Sequence, residues 1–186
     1  LGGVLIDWDP RHLYRKLIPD EERMDYFLAN ICVHDWNEKH DAGHPVAEGM
    51  AELAAEHPDW EKEIFAYYGR WQEMLGGPIH GTVEILANLK QAGEKRLLAL
   101  TNWSAETFPI ARDRYDFLTW FEGILVSGEE KMKKPDPEFF QLLFDRFEVD
   151  PTTAVFIDDS ARNIESAAKC GLHTIHFQSP EALSAE

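Results

Sequence analysis

Through the first third of the chain, apolar residues recur at three- and four-residue spacings. They do so in the segments Pro10–Leu17, Pro19–Asn30, Pro45–Glu56 and Pro58–Leu75. That is the period of helices with one buried face, and Pro or Asp/Gly punctuation separates each segment from the next. Asp9-Pro10 suits a helix start, with Asp as N-cap and Pro at the first helical position. No convincing strand interrupts this run, and Gly76-Gly77-Pro78 closes it as a hinge or linker. The rhythm then alternates. Helix Thr82–Ala92 leads to strand Arg96–Thr101, helix Ala105–Tyr115 to strand Gly123–Ser127, and helix Pro137–Phe147 to strand Ala154–Asp158. Helix Ala161–Cys170 leads to strand His173–Phe177, and a last helix begins at Pro180. Such alternation predicts a parallel sheet covered on both faces.

In open parallel sheets, chemistry gathers at the carboxyl ends of the strands. Three segments place reactive groups there. In the first, Ala154-Val155-Phe156-Ile157 reads as a short, fully buried strand running into Asp158-Asp159-Ser160, with Ser160 able to cap the next helix. Paired acids at the mouth of a buried strand are costly unless something positive sits beside them. A hard divalent cation bound by oxygen fits, and beside a phosphate Mg²⁺ is the usual choice. Taken alone, the same residues also fit a polar loop with two solvated acids. In the second, Thr101-Asn102-Trp103-Ser104 ends a strand with a hydroxyl and an amide that can bond a phosphate oxygen near a helix N-terminus. An ordinary turn with Ser104 as N-cap explains it equally well. The third is Lys131-Met132-Lys133-Lys134-Pro135-Asp136-Pro137. Here Asp136-Pro137 starts a helix, and Pro135 keeps Lys134 extended, so that its ammonium can reach the acids. Lys131 and Lys133 read as solvated charge.

The formal net charge of −16 changes the picture. A surface this acidic repels nucleic acid and anionic membranes, so an anionic substrate needs a locally positive pocket. Two cysteines, Cys32 and Cys170, stand far apart with no CxxC spacing. They give no zinc or disulfide signal and favour a reducing cytoplasm. No apolar run approaches membrane-span length, and no signal peptide precedes the fold. Leu1-Gly2-Gly3-Val4-Leu5-Ile6 lacks an initiator Met, and a Gly-Gly turn follows an element more naturally than it opens one. Residues upstream of Leu1 are therefore expected.

In order and spacing, Gly-Gly-Val-Leu, Leu-Thr-Asn-Trp-Ser, Lys-Pro-Asp-Pro and Phe-Ile-Asp-Asp-Ser with Asn163 resemble the haloacid dehalogenase superfamily of aspartyl-nucleophile hydrolases. The resemblance is to its members with a helical cap inserted after the first strand, and to its sugar-phosphate phosphatases. It covers essentially the whole chain. It implies a Rossmann-like α/β core over residues 1–9 and 77–186, and an all-helical cap over 10–76. It further implies that Thr101 binds the transferring phosphoryl group with help from Asn102. Lys134 neutralises nucleophile and phosphate, while Asp158 and Asp159 hold Mg²⁺ directly or through water. Asn163 supports them from the following helix. The nucleophilic Asp falls immediately before Leu1. Gly2 then stands where many members carry a second Asp as general acid/base. It can offer a main-chain carbonyl to Mg²⁺ but cannot protonate a leaving oxygen, so a good leaving group, a cap residue or water must supply that proton. A sugar 1-phosphate relaxes the demand.

The expected activity is thus Mg²⁺-dependent hydrolysis of a small phosphorylated metabolite, with no nucleic-acid or membrane partner. Three alternatives stay open. Asp7-Trp8-Asp9 offers a competing position for the first motif. A 2-haloacid dehalogenase shares the resemblance but works without metal, and a degenerate binding module would lack turnover. His34, Asp35, Trp36, Asn37 and Lys39 form a polar–aromatic cluster that either faces the cleft or ends a helix around one buried Trp.

Overall fold

The computed structural model describes residues 1–186. Strand β1 (Ile6–Trp8) leads into helices α1 (Arg11–Leu17), α2 (Glu21–Asn30), α3 (His34–Asp41), α4 (Val46–Glu56) and α5 (Glu61–Gly69). Strand β2 (Leu75–Pro78) then pairs antiparallel with β1, with Ile6 opposite Pro78 and Asp7 opposite Gly77. The Gly-Gly-Pro segment expected as a linker is therefore a strand, and the helices leave and return through a two-stranded ribbon. Glycine is needed at position 76, where a Cβ would stand 2.0 Å from the Asp7 carboxylate. The helix expected over Pro58–Leu75 is broken into a 3₁₀ turn (Pro58–Trp60), α5 and a second 3₁₀ turn (Trp71–Met74).

The periodic helices bury the faces their spacing predicted. Leu13, Tyr14, Phe27, Ile64 and Tyr67 are almost fully enclosed, with the Tyr14 and Phe27 rings 4.8 Å apart. Trp36 of α3 joins them edge-on to Tyr67 at 5.1 Å. The rest of α3 carries no apolar stripe, and periodicity did not predict a helix there. Asn37, Glu38 and His40 are buried instead. Asp9 does cap α1, accepting the Arg11 N–H at 2.8 Å.

Beyond β2 the elements run α6 (His80–Ala92), β3 (Leu98–Thr101), α7 (Phe108–Arg114), β4 (Gly123–Val126), α8 (Ser127–Glu130), α9 (Pro137–Phe147), β5 (Val155–Asp158), α10 (Ala161–Lys169), β6 (His173–His176) and α11 (Pro180–Ser184). β3 pairs parallel with β4, placing Thr101 beside Val126. β5 pairs parallel with β6, placing Asp158 beside His176. The expected single sheet is thus two separate parallel pairs. β5 is also not the fully buried strand its sequence suggested. Val155 is 58% exposed, because the strand has a hydrogen-bonded neighbour on one side only. The helix expected from Ala105 begins three residues later, since residues 105–107 turn around Ser104, whose Oγ accepts the Glu106 N–H at 3.2 Å.

Packing fixes α9 and α10 behind the strands. Phe139, Phe140, Leu143 and Phe144 on one face of α9 meet Leu100, Leu125, Ala167 and Leu172. With Thr101, Ser127 and Asp158 all at or just past strand ends, the chemistry-bearing residues converge on one edge.

Candidate active site

Asp158, the last residue of β5, is 4% exposed, and both its carboxylate oxygens are engaged. Oδ1 accepts the Ser160 N–H and the Asn163 side-chain N–H, each at 2.9 Å. Oδ2 accepts Lys134 Nζ at 2.6 Å. Burial alone would raise the pKa of this acid, but the Lys134 charge and the three hydrogen bonds outweigh it and hold the carboxyl below its ordinary value. Asp158 rather than Ser160 therefore takes up the free N–H at the start of α10. The Ser160 hydroxyl makes no capping bond there.

Lys134 is equally buried, and its main chain is held by one side chain. Its N–H donates to Asn102 Oδ1 at 2.8 Å, and its carbonyl accepts from Asn102 Nδ2 at 2.9 Å. Asn102 thus ties the loop after β3 to the loop before α9, and its carbonyl oxygen and one N–H are committed to that task. Thr101 beside it is 1% exposed and lines the same cavity.

That cavity, of about 390 Å³, brings together Gly2, Thr101, Asn102, Lys134, Asp158, Asp159 and Asn163. The turn of Gly2 and Gly3 passes directly against Asp159. Gly3 has φ +74, and a Cβ there would lie 2.1 Å from Asp159 Oδ2. Position 3 is doubly restricted to glycine, by left-handed backbone and by the nearby acid. Gly3→Ala is expected to cost about 1–3 kcal/mol and to displace Asp159, read as a lower urea midpoint together with weaker Mg²⁺ binding in calorimetry. Asp7 and Asp9 do not reach the cavity. Asp7 accepts from His12 Nε2 at 2.9 Å and Asp9 caps α1, so the competing position for the first motif is not supported.

The far wall belongs to α3 and holds residues the sequence reading missed or misplaced. His34, Asn37, Glu38 and Asp41 all line the cavity, with Tyr68, Trp8, Trp71 and Arg162. Of the polar–aromatic cluster, His34 and Asn37 face the cleft while Trp36 packs inside. Glu38 is buried, and its carboxylate meets Lys133, Arg162 and, at 3.0 Å, His34 Nε2. Lys133 is therefore a paired residue bridging to α3 rather than solvated charge. Asp41 is held from the other side. Its carbonyl accepts the Ser127 hydroxyl at 2.5 Å, while Ser127 Oγ accepts the Trp103 N–H at 2.9 Å. Burial, opposed by Lys133, the Ser104 N–H and Lys134, pushes the Asp41 carboxyl up to about 7. Polarity hid this wall from the sequence. A helix whose buried residues are charged has no hydrophobic period to read.

The donor set suits a hard cation. Asp158 and Asp159 stand side by side, and the Asp159 carboxylate makes no ion pair or hydrogen bond within the chain. Asn163 Oδ1 is buried without a partner. Two carboxylates, a spare amide oxygen and room for water fit Mg²⁺, which binds through few protein ligands. No three His, Cys, Asp or Glu converge as a closed zinc site requires.

Strand-end acids, a buried lysine and a helical wall across one cleft define a hydrolase architecture of the haloacid dehalogenase type. A family profile described as haloacid dehalogenase-like hydrolase matches residues 1–171, and the chain belongs to that family. It is similar to a phosphorylated carbohydrates phosphatase of Thermotoga maritima, 30% identical over 183 residues that cover 95% of this chain and 81% of that protein. Over 79 residues it is 38% identical to acyl-CoA dehydrogenase family member 10 of Mus musculus, a match to 42% of this chain and only 7% of the mouse protein. Among solved structures, a family enzyme of Bacteroides thetaiotaomicron in complex with magnesium and inorganic phosphate has a TM-score of 0.70 at 24% identity, covering 96% of this chain and 91% of that one. That likeness is one of fold. No helix is long and apolar enough to cross a membrane.

Proposed function

We propose that this chain performs Mg²⁺-dependent hydrolysis of a small phosphorylated metabolite, with a sugar phosphate as the favoured class. In this reading residues 1–9 and 77–186 form a Rossmann-like core and residues 10–76 a helical cap. The observation that carries it is the Lys134–Asp158 pair set beside Asp159 and the Gly2–Gly3 turn in one cleft. A carboxylate immediately before Leu1 would enter between these groups and attack phosphorus, giving an aspartyl-phosphate that water hydrolyses.

Asp158, Asp159 and the main chain of Gly2 would hold Mg²⁺, whose chemistry when bound is to neutralise charge on the phosphoryl oxygens. The chain's own residues do the rest. Lys134 neutralises nucleophile and phosphate, and the Thr101 hydroxyl donates to a phosphoryl oxygen. Asn102 orients Lys134 through its main chain, and Asn163 fixes the Asp158 carboxylate. The wall of α3 excludes water and selects the leaving group. In a chain of net charge −16, the positive charge that an anionic substrate needs would come from Lys134 together with Mg²⁺, since Lys133 and Arg162 are paired with Glu38. The T. maritima relative's named substrates, phosphorylated carbohydrates, support the substrate class.

The test uses the full natural chain. Phosphate release from p-nitrophenyl phosphate and chloride release from L-2-chloropropionate are each measured with and without EDTA. Phosphate release that EDTA abolishes and Mg²⁺ restores is the expected result. Chloride release indifferent to EDTA would establish a dehalogenase instead, and no turnover with a residue other than Asp before Leu1 would mark a binding module.

A further inference from the structure

Gly2 has no side chain, so the proton for a departing alkoxide must come from elsewhere in the cleft. Asp158 is ionised and bonded to Lys134. Asp159 lies next to it, where the phosphoryl end of a substrate is proposed to sit. The Glu38 carboxylate is already paired with Lys133 and Arg162 and contacts His34. His34 is the partner of Glu38, and burial lowers its pKa. Tyr68 donates to Asn37 Oδ1 at 2.9 Å, and burial makes its phenol a far weaker acid than usual. Asp41 remains.

The geometry around Asp41 is that of a positioned group. It ends α3, with its carbonyl fixed by Ser127 Oγ just past β4. Its carboxylate accepts from Asn37 Nδ2 at 3.2 Å, and the Ser104 main chain of the loop after β3 lies beside it. Two βα loops of the strand edge thus clamp one residue of the opposite wall, and its open side is the cavity that Thr101, Lys134 and Asp158 share. The groups facing it are Asn37 on its own helix, Lys133 and Lys134 from the loop before α9, Ser104 after β3, and Tyr67 and Tyr68 from α5.

We propose that Asp41 is the catalytic proton donor to the leaving oxygen, serving from the helical wall in place of the side chain that Gly2 lacks. This rests on the phosphatase reading above. As the bond from phosphorus to the leaving oxygen breaks, the Asp41 carboxyl gives its proton to that oxygen and the alcohol departs neutral. The Asp41 carboxylate then takes a proton from the water that attacks the aspartyl-phosphate. Phosphate leaves, the nucleophilic carboxylate is regenerated, and Asp41 returns to the acid. A carboxyl whose pKa burial raises to about 7 is matched to both steps near neutral pH. It also means that the donor form is lost as pH rises through that value.

The test compares Asp41→Asn with the wild-type natural chain on two substrates. One is p-nitrophenyl phosphate, whose leaving group departs as a stable anion, and the other is an alkyl phosphate such as a sugar 6-phosphate. The variant is expected to lose about 10²–10⁴-fold in kcat on the alkyl ester while staying within about 10-fold on the aryl ester. The wild-type alkyl profile is expected to fall above pH 7, a limb absent from the aryl profile. If Asp41→Asn does not fold, this difference between the two wild-type profiles decides alone. Equal losses on both esters, or alkyl and aryl profiles of the same shape, overturn the inference and leave the phosphatase reading intact. A wild-type chain that hydrolyses neither ester overturns both.

Discussion

Lys134→Met is expected to lower phosphate release by about 10²–10³-fold and to destabilise the fold as well. The catalytic loss follows from the proposed role of Lys134 as a buried cation facing the phosphoryl group, where preorganised charge contributes most. The structural loss has a separate origin. Asp158 is 4% exposed, and without Lys134 its charge keeps only the Ser160 and Asn163 hydrogen bonds. Breaking a buried ion pair from one side costs about 3–5 kcal/mol. The dependence on pH gives this cost a signature. In the wild type the Asp158 pKa is depressed, so its contribution to stability is complete above the ordinary aspartate range and is lost as pH falls through the depressed value. In the variant burial acts unopposed by the Lys134 charge and raises that pKa, so protonation relieves the penalty. The deficit in urea unfolding should therefore be large at neutral pH and shrink in mild acid. An equal deficit at both would show that Lys134 stabilises through packing alone.

Asp159→Asn should behave in the opposite way. Its carboxylate has no cationic partner and stands beside a second acid, so neutralising it removes repulsion and breaks no bond. Melting temperature should stay level or rise slightly. Mg²⁺ affinity by calorimetry, and with it phosphate release at limiting Mg²⁺, should fall by at least about 10–100-fold. A variant that melts lower and binds Mg²⁺ as well as wild type would make Asp159 a structural residue. Read together, the two substitutions separate a residue that supports both fold and chemistry from one that only holds the cation.

How far the sequence reaches depends on which force shapes each part. α9 was legible to the residue, because Asp136-Pro137 marks its start and its apolar face keeps one period to Phe147. That Asp158, Lys134 and Thr101 meet at one strand edge was legible because strand ends and helix starts fix their neighbours. α3 was not. Its burial is decided by pairing with distant groups, Glu38 with Lys133 and Arg162 and Asp41 with Ser127, and none of these leaves a local pattern. The Asn102 amide was expected to serve a phosphate, but its carbonyl and one N–H are drawn to the main chain of Lys134 thirty-two residues away. Gly76-Gly77-Pro78 read as a linker for a related reason. Backbone pairing with Ile6 and Asp7 needs no side-chain propensity, and the glycine there admits the Asp7 carboxylate.

The most direct measurement is a crystal structure of the full natural chain grown with Mg²⁺ and inorganic phosphate. The metal should sit on the Asp158 and Asp159 carboxylates, with phosphate between it, Lys134 and Thr101, and a carboxylate from the residue before Leu1 in line with phosphorus. A metal bound elsewhere, with both acids turned to bulk water and phosphate absent from the cleft, would contradict the proposed chemistry at its root.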